Sequence, residues 1–374
     1  MLSNDRWENG SFFHWLAYQN TVVTPSPWSR NGIYFGSARD AFRSLLEYGR
    51  TERGWKRFWV PSYFCQEVVT TFISTGIEVC LYADGPEDDE PGFDEIDSKP
   101  GDVLLRTNFF GLRDSLKSNA INRDQVEIIE DHTHDPWSDC AWESDADWCI
   151  VSIRKVLPVP DGGLLWSPRE HNLPKTPVST NEHQTACLEK LAAMVLKGLY
   201  LDGHPIEKEK FRALDISGES KMSTDTISAM SECTKSLLDC FPIKEWRDQR
   251  RINHTALSKA LEGISGLRVL QPTDNEKTCP FSVIIVFDSM QQREYVRQKL
   301  ISNKIYPAVL WPLEKNTNNT IHQKYIEFSR NMISVHCDMR YNSQDMAIVA
   351  SLIREYSVNH EEKRKVYHNE RTSH

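Results

Sequence analysis

No stretch of the 374 residues approaches the roughly 20 apolar residues needed to span a bilayer. The polar start MLSNDRWENG does not read as a secretory signal. Nine cysteines are scattered without a CxxC pair or a regular spacing, so they read as reduced thiols of a cytoplasmic protein. A formal charge of −9 argues against a nucleic-acid partner, because phosphate contacts need clustered Lys and Arg. The basic run Lys363-Arg364-Lys365 lies in a polar tail. No internal repeat is visible, and the acidic stretch Asp84 to Asp97 reads as a solvated loop. What is present is a globular chain, 39% hydrophobic and long enough to bury a large core in two lobes.

Strand and helix signals alternate from Phe58 to Ser167, the pattern of a mainly parallel sheet with helices on both sides. Helical spacing follows in pieces, clearest over Thr185 to Leu199 and Thr226 to Cys240. Arg247 to Leu261 reads as a helix linking the lobes. Beyond it, Arg268 to Leu270, Ser282 to Phe287, Tyr306 to Trp311 and Met332 to His336 read as strands. Ser289 caps one helix, and Val349, Leu352, Ile353 and Tyr356 form the apolar stripe of the last. The expected division is a large lobe over residues 1–245, a smaller α/β lobe over 246–358 and a disordered tail over 359–374.

The densest chemistry lies between Ile128 and Ser167. Val126 to Ile129 and Trp148 to Ile153 are short apolar runs suited to strands buried on both faces. Ligands of open α/β sheets sit at the carboxyl ends of the strands, which here carry Glu130, Asp131, His132 and His134, then Ser152, Arg154 and Lys155. A pyridoxal phosphate site needs a lysine amine for the Schiff base and a carboxylate that keeps the pyridine nitrogen protonated. Lys155 and Asp131 supply that pair. Ser152 offers a hydroxyl to the phosphate, and Asp161-Gly162-Gly163 turns the chain. Asp131, His132, His134 and Asp135 are also metal-type ligands, but no second cluster of this density accompanies them, and no metal is expected. Upstream, Ser37-x-x-Asp40 forms a capping box before the helical spacing of Ala38, Ala41, Phe42, Leu45 and Leu46. Such a helix start presents free N–H groups to an anion.

Several segments then match in order. They are Tyr34 to Phe42 around Gly36, Val60-Pro61-Ser62-Tyr63, Asn108 to Gly111, Glu130-Asp131 with His134, and Lys155 with Gly162-Gly163. Arg340-Tyr341 and Asp345-Met346 follow near the end. On these residues the sequence resembles the DegT/DnrJ/StrS family of pyridoxal-phosphate aminotransferases, of the type I aminotransferase fold. The likeness runs from Gly32 to Tyr356, strongest before Ser167 and thin from Pro168 to Leu261. It implies Lys155 as the Schiff-base lysine, Asp131 at the pyridine nitrogen, His134 near the phenolic oxygen, and Ser37 and Ala38 at the phosphate. Phe64 or Cys65 falls where the family stacks an aromatic on the ring. Two departures stand out. Ser152-Ile153-Arg154-Lys155 is shorter than the family's S-x4-K, and its NYRM segment corresponds at best to Glu219-Ser220-Lys221-Met222.

The resemblance implies transfer of an amino group, from glutamate, to a nucleotide-linked keto sugar, within a homodimer making polysaccharides or glycosylated metabolites. Arg39, Arg154 and Arg340 are candidates for the donor carboxylate, whose two oxygens match a guanidinium fork. Trp311, in Ala308 to Pro312, is a candidate wall of the substrate pocket. Other chemistry of the same cofactor, such as sugar dehydration or ligation of an amine to an acyl group, is an alternative. A non-catalytic binding protein on the same fold is another.

Overall fold

The apolar runs between Arg57 and Trp166 pair side by side, with Asp102–Thr107, Val126–Asp131, Trp148–Ser152 and Gly163–Trp166 largely buried on both faces and Glu78–Tyr82 more exposed at the edge. The computed structural model describes residues 6–16, 24–117, 120–222, 226–313 and 321–372. Among these, the strands are β1 (Asn9–Gly10), β2 (Ile33–Phe35), β3 (Arg57–Pro61), β4 (Glu78–Tyr82), β5 (Asp102–Thr107), β6 (Val126–Asp131), β7 (Trp148–Ser152), β8 (Gly163–Trp166), β9 (Leu267–Val269), β10 (Val283–Phe287), β11 (Ile305–Tyr306) and β12 (Met332–Val335). Seven of them form one sheet in the order β2-β8-β7-β6-β5-β3-β4. Strands β3 to β7 run parallel, while β8 pairs antiparallel with both β7 and β2. Neighbouring residues of each strand enter opposite cores. Leu104, Ile128, Cys149 and Val151 lie on one face, and Leu105, Ile129, Trp148 and Ile150 on the other.

The helices are α1 (Ala38–Tyr48), α2 (Gln66–Ser74), α3 (Asp139–Trp142), α4 (Asn181–Leu201), α5 (Lys208–Met222), α6 (Glu232–Leu238), α7 (Ile243–Leu261), α8 (Met290–Ser302), α9 (Gln323–Asn331) and α10 (Ser343–Thr372). Ser37 caps α1 by accepting the Asp40 N–H at 3.1 Å, and Ala41, Phe42, Leu45 and Leu46 bury that helix against the sheet. The long α7 starts with Ile243 in the core of the large sheet. It ends with Leu257 and Leu261 in a second core around the antiparallel sheet β12-β10-β9. Among the described residues, no helix is long and apolar enough to cross a membrane.

Four local expectations change. Tyr306 to Trp311 is not a strand: β11 covers Ile305–Tyr306 and pairs with β1, after which only Ala308 bridges to Ser334. Pro307 and Pro312 remove the donors that a longer ladder would need. The helix expected over Thr226 to Cys240 shrinks to α6, because Ser231 caps it from the Thr234 N–H. The stretch from Asp84 to Asp97 is not simply solvated. Asp84 is fully buried on Arg113, Phe93 is buried, and the loop walls a cavity of about 980 Å³. The tail expected to be disordered continues α10 as far as Thr372. Packing of Met346, Val349, Ala350 and Ile353 nucleates that helix, and each further residue then adds one hydrogen bond.

Candidate active site

Cross-strand register assembles the site. Phe35 lies opposite Gly163, and Gly163 lies opposite Ser152, so the chain entering α1 sits one strand away from the end of β7. A Cβ built on Gly163 would stand 2.2 Å from the Ser37 carbonyl group and 2.5 Å from the Ala38 nitrogen. Only glycine admits that approach. Gly162, at φ +124, donates its N–H to the Gly36 carbonyl at 2.8 Å. The Asp-Gly-Gly turn therefore seats the first turn of α1 beside Ser152.

Under this cradle, Asp161 is fully buried. It accepts from the Ser231 N–H and hydroxyl at 2.8 Å each and lies 2.9 Å from His183 Nε2. The His183 ring fills the space that a side chain at Gly36 would need.

Lys155 closes a short helical turn, Ile153–Lys155, directly after β7, and is exposed. The adjacent Arg154 guanidinium, with desolvation, pulls its amine down to about 8. Arg154 is itself forked on Glu219 of α5, with both N···O distances 2.8 Å. Lys190 joins the same carboxylate at 2.9 Å. Although burial opposes ionisation of Glu219, the two cations hold it well below the carboxylate range.

Asp131 ends β6 and is half-buried. Burial raises its carboxyl, opposed by the Thr133 N–H bonded to its Oδ1 at 2.9 Å. Thr133 also accepts the Ser152 N–H at 3.0 Å, which ties the ends of β6 and β7 together. His134 is buried, and its Nδ1 accepts the Phe110 N–H at 3.0 Å. Burial first, then nearby Lys155, pulls the imidazole down to about 3. The ring is thus neutral at physiological pH with its proton on Nε2. It stacks on Trp311, with centroids 5.8 Å apart, and lies 4.6 Å from Phe281.

Ser37 and Ala38 thus lie against Gly163 beside Ser152, Thr133 links Ser152 to Asp131, and the Lys155 charge reaches His134, which stacks on Trp311. Between the two stacking candidates, Phe64 is buried in the core against Phe72. Cys65 is the half-buried one, and its thiol interacts electrostatically with Lys155. Arg39 lies in the first turn of α1, next to Ala38.

Two arginine expectations are corrected. Arg154 spends its fork on Glu219. Arg340 spends its own on Asp338, at 2.8 Å twice, and turns Nη1 toward the Phe12 carbonyl at 3.2 Å. Both forks are occupied within the chain.

The acid and histidine run does not converge on one point either. Asp131 faces Thr133, His132 turns to Glu130, His134 meets Phe110, and Asp135 pairs with Arg247 and the Cys279 N–H.

Sequence reasoning missed Arg250. This α7 residue is buried, its Nε has no hydrogen-bond partner, and its one bond is a 3.5 Å contact to the Val156 carbonyl. It forms no ion pair among the described residues, yet its charge reaches His134. A signal existed: Arg250 occupies the buried stripe of α7 with Ile243, His254, Leu257 and Leu261, where a charge is out of place.

The sequence matches no family model and no curated protein. The fold is similar to that of several solved structures. DesI, crystallised in the presence of its TDP-sugar product, superimposes with a TM-score of 0.58 at 13% identity, over 91% of this chain and 83% of that one. The aminotransferase TlmJ from Streptoalloteichus hindustanus gives 0.61 at 11% identity, over 94% of this chain and 100% of that one. NtdA from Bacillus subtilis, with bound cofactor PMP, gives 0.54 at 14% identity, over 88% and 73%. These likenesses establish the fold.

Proposed function

We propose that the chain is a pyridoxal-phosphate-dependent aminotransferase acting on a nucleotide-linked keto sugar with glutamate as donor. The observation that supports this reading is the register that sets Ser152, three residues before Lys155, beside a helix start that only glycine at 163 admits. The residues suit the cofactor. The Ala38 end of α1 and the Ser37 and Ser152 hydroxyls would hold its phosphate, Asp131 its ring nitrogen and His134 Nε2 its phenolic oxygen. Cys65 would lie against the ring. When bound, the cofactor supplies an aldehyde and an electron-withdrawing ring.

The chain supplies the rest. With its amine near 8, an appreciable share of Lys155 is neutral at physiological pH, so Nζ can both attack a carbonyl and move a proton. Asp131 provides the charge that favours a protonated ring nitrogen, and that cation offsets the desolvation of the carboxylate. Trp311 and Phe281 hold the His134 plane fixed. Arg250 is the side chain with an unused fork for a donor carboxylate, replacing Arg154 and Arg340 in that role. The reading extends to a homodimer, supported by the resemblance and testable by sedimentation.

The deciding experiment adds pyridoxal phosphate, reduces with borohydride and maps the labelled peptide, then assays glutamate for conversion to 2-oxoglutarate. Label on Lys155 together with 2-oxoglutarate supports the reading, since only transamination yields that product. Absence of label overturns it.

A further inference from the structure

On the opposite face of the large sheet from Asp131, three metal-type side chains meet. Period-two alternation sends Glu130 there, where it is the cross-strand neighbour of Cys149 on β7 and Arg106 on β5. The ligand atoms of Glu130, His132 and Cys149 all lie within 4.8 Å of one another, and all three residues are buried. His132 Nε2 is 2.9 Å from Glu130 Oε2, and Cys149 Sγ is 4.0 Å from the same oxygen. His132 Nδ1 has no hydrogen-bond partner among the described residues. We propose that Glu130, His132 and Cys149 form a binding site for one zinc-class divalent ion, with the fourth position left to water.

The donor set is the argument. A thiol, an imidazole and a carboxylate suit a borderline-soft ion, and ligand atoms around tetrahedral zinc stand roughly 3.5 Å apart, close to the spacings here. An ion pair between Arg106 and Glu130 needs neither a thiol nor an imidazole, yet both lie against the same carboxylate. Charge also closes: the Cys149 thiolate and Glu130 carry −2 against the ion's +2, while Arg106, 2.6 Å from Glu130 Oε1, is balanced by Asp145. Arg106 and Ser144 both bond Glu130 and would orient it as outer partners do in metal sites. An entry path exists as well. A cavity of about 200 Å³ reaches Glu130 and is lined by four carboxylates, Asp114, Glu130, Asp139 and Glu143, against two ammonium groups, Lys117 and Lys277. The site lies apart from Lys155 and does not depend on the cofactor reading.

Cobalt is the probe. The full chain, stripped with a chelator and dialysed, is titrated with Co²⁺ while absorption is followed, and zinc is counted in the unstripped protein by elemental mass spectrometry. The expected result is one ion per chain and a thiolate-to-cobalt charge-transfer band whose intensity corresponds to one thiolate. The C149S variant should lose the band and at least about tenfold in affinity, since even outer partners are worth 10- to 100-fold. A native protein without the band, or a band unchanged in C149S, overturns the proposal. If C149S does not fold, the native band decides alone.

Discussion

The Arg154–Glu219 pair should tune Lys155 in opposite directions depending on which partner is removed. At present Arg154 lowers the lysine and Glu219 raises it, with the amine at about 8. About one-tenth of such an amine is neutral at pH 7, and one unit of pKa changes that fraction about tenfold. In Arg154→Gln the lowering charge is gone and Glu219 still raises the lysine, so the amine becomes more basic. In Glu219→Gln the raising charge is gone, Arg154 and Lys190 act unopposed, and the amine becomes less basic. Lys155 is open to solvent, which screens both effects, so the expected change is about half a unit to one unit each way, or about three- to tenfold slower in R154Q and about three- to fivefold faster in E219Q at pH 7. The assay is the rate of borohydride-trappable pyridoxal phosphate on Lys155 as a function of pH. The rate rises as pH passes through the amine's pKa, so the midpoint should move to higher pH in R154Q and to lower pH in E219Q. Midpoints that move together, or that do not move, would refute the assignment of Arg154 as the dominant local charge.

Gly163→Ala forces a methyl against the Ser37 carbonyl. It should weaken pyridoxal phosphate binding and lower stability by about 1–3 kcal/mol or more, read by cofactor titration and urea unfolding. Arg250→Met removes a buried charge that forms no ion pair among the described residues. The melting temperature should rise while KM for glutamate rises about tenfold or more, and an unchanged KM would exclude Arg250 from donor binding. His134→Phe keeps the stack under Trp311 but leaves the buried Phe110 N–H unpaired, costing about 1–3 kcal/mol in urea unfolding.

Much of the site was legible because it is written locally. Asp131 and Lys155 follow short apolar runs whose burial on both faces the structure reproduces, and the Ser37 cap is a four-residue pattern. What escaped depends on partners far along the chain. Arg154 looked available until Glu219 of α5 took its fork, and Arg340 until Asp338 and the Phe12 carbonyl did. Phe64 and Cys65 could not be told apart by spacing, since only the tilt of the turn before α2 decides which is buried. Arg250 was visible as a charge on an apolar helical stripe, but its meaning required knowing that it forms no ion pair among the described residues, Asp135 being paired with Arg247. The meeting of Glu130 with Cys149 depends on β6 and β7 lying side by side, which no spacing rule conveys.

The ladder that sets Phe35 against Gly163 joins residues separated by more than a third of the chain. Closing so long a loop is slow compared with forming the local hairpin of β7 and β8. During synthesis the start of α1 leaves the ribosome early but has no strand to dock on until β8 emerges. The cradle proposed for the phosphate therefore waits for Gly163, and a chain interrupted before it would carry every residue of that helix without the strand it docks on. Cofactor added during refolding would capture only molecules that have completed this closure, and so would report on topology rather than on secondary structure.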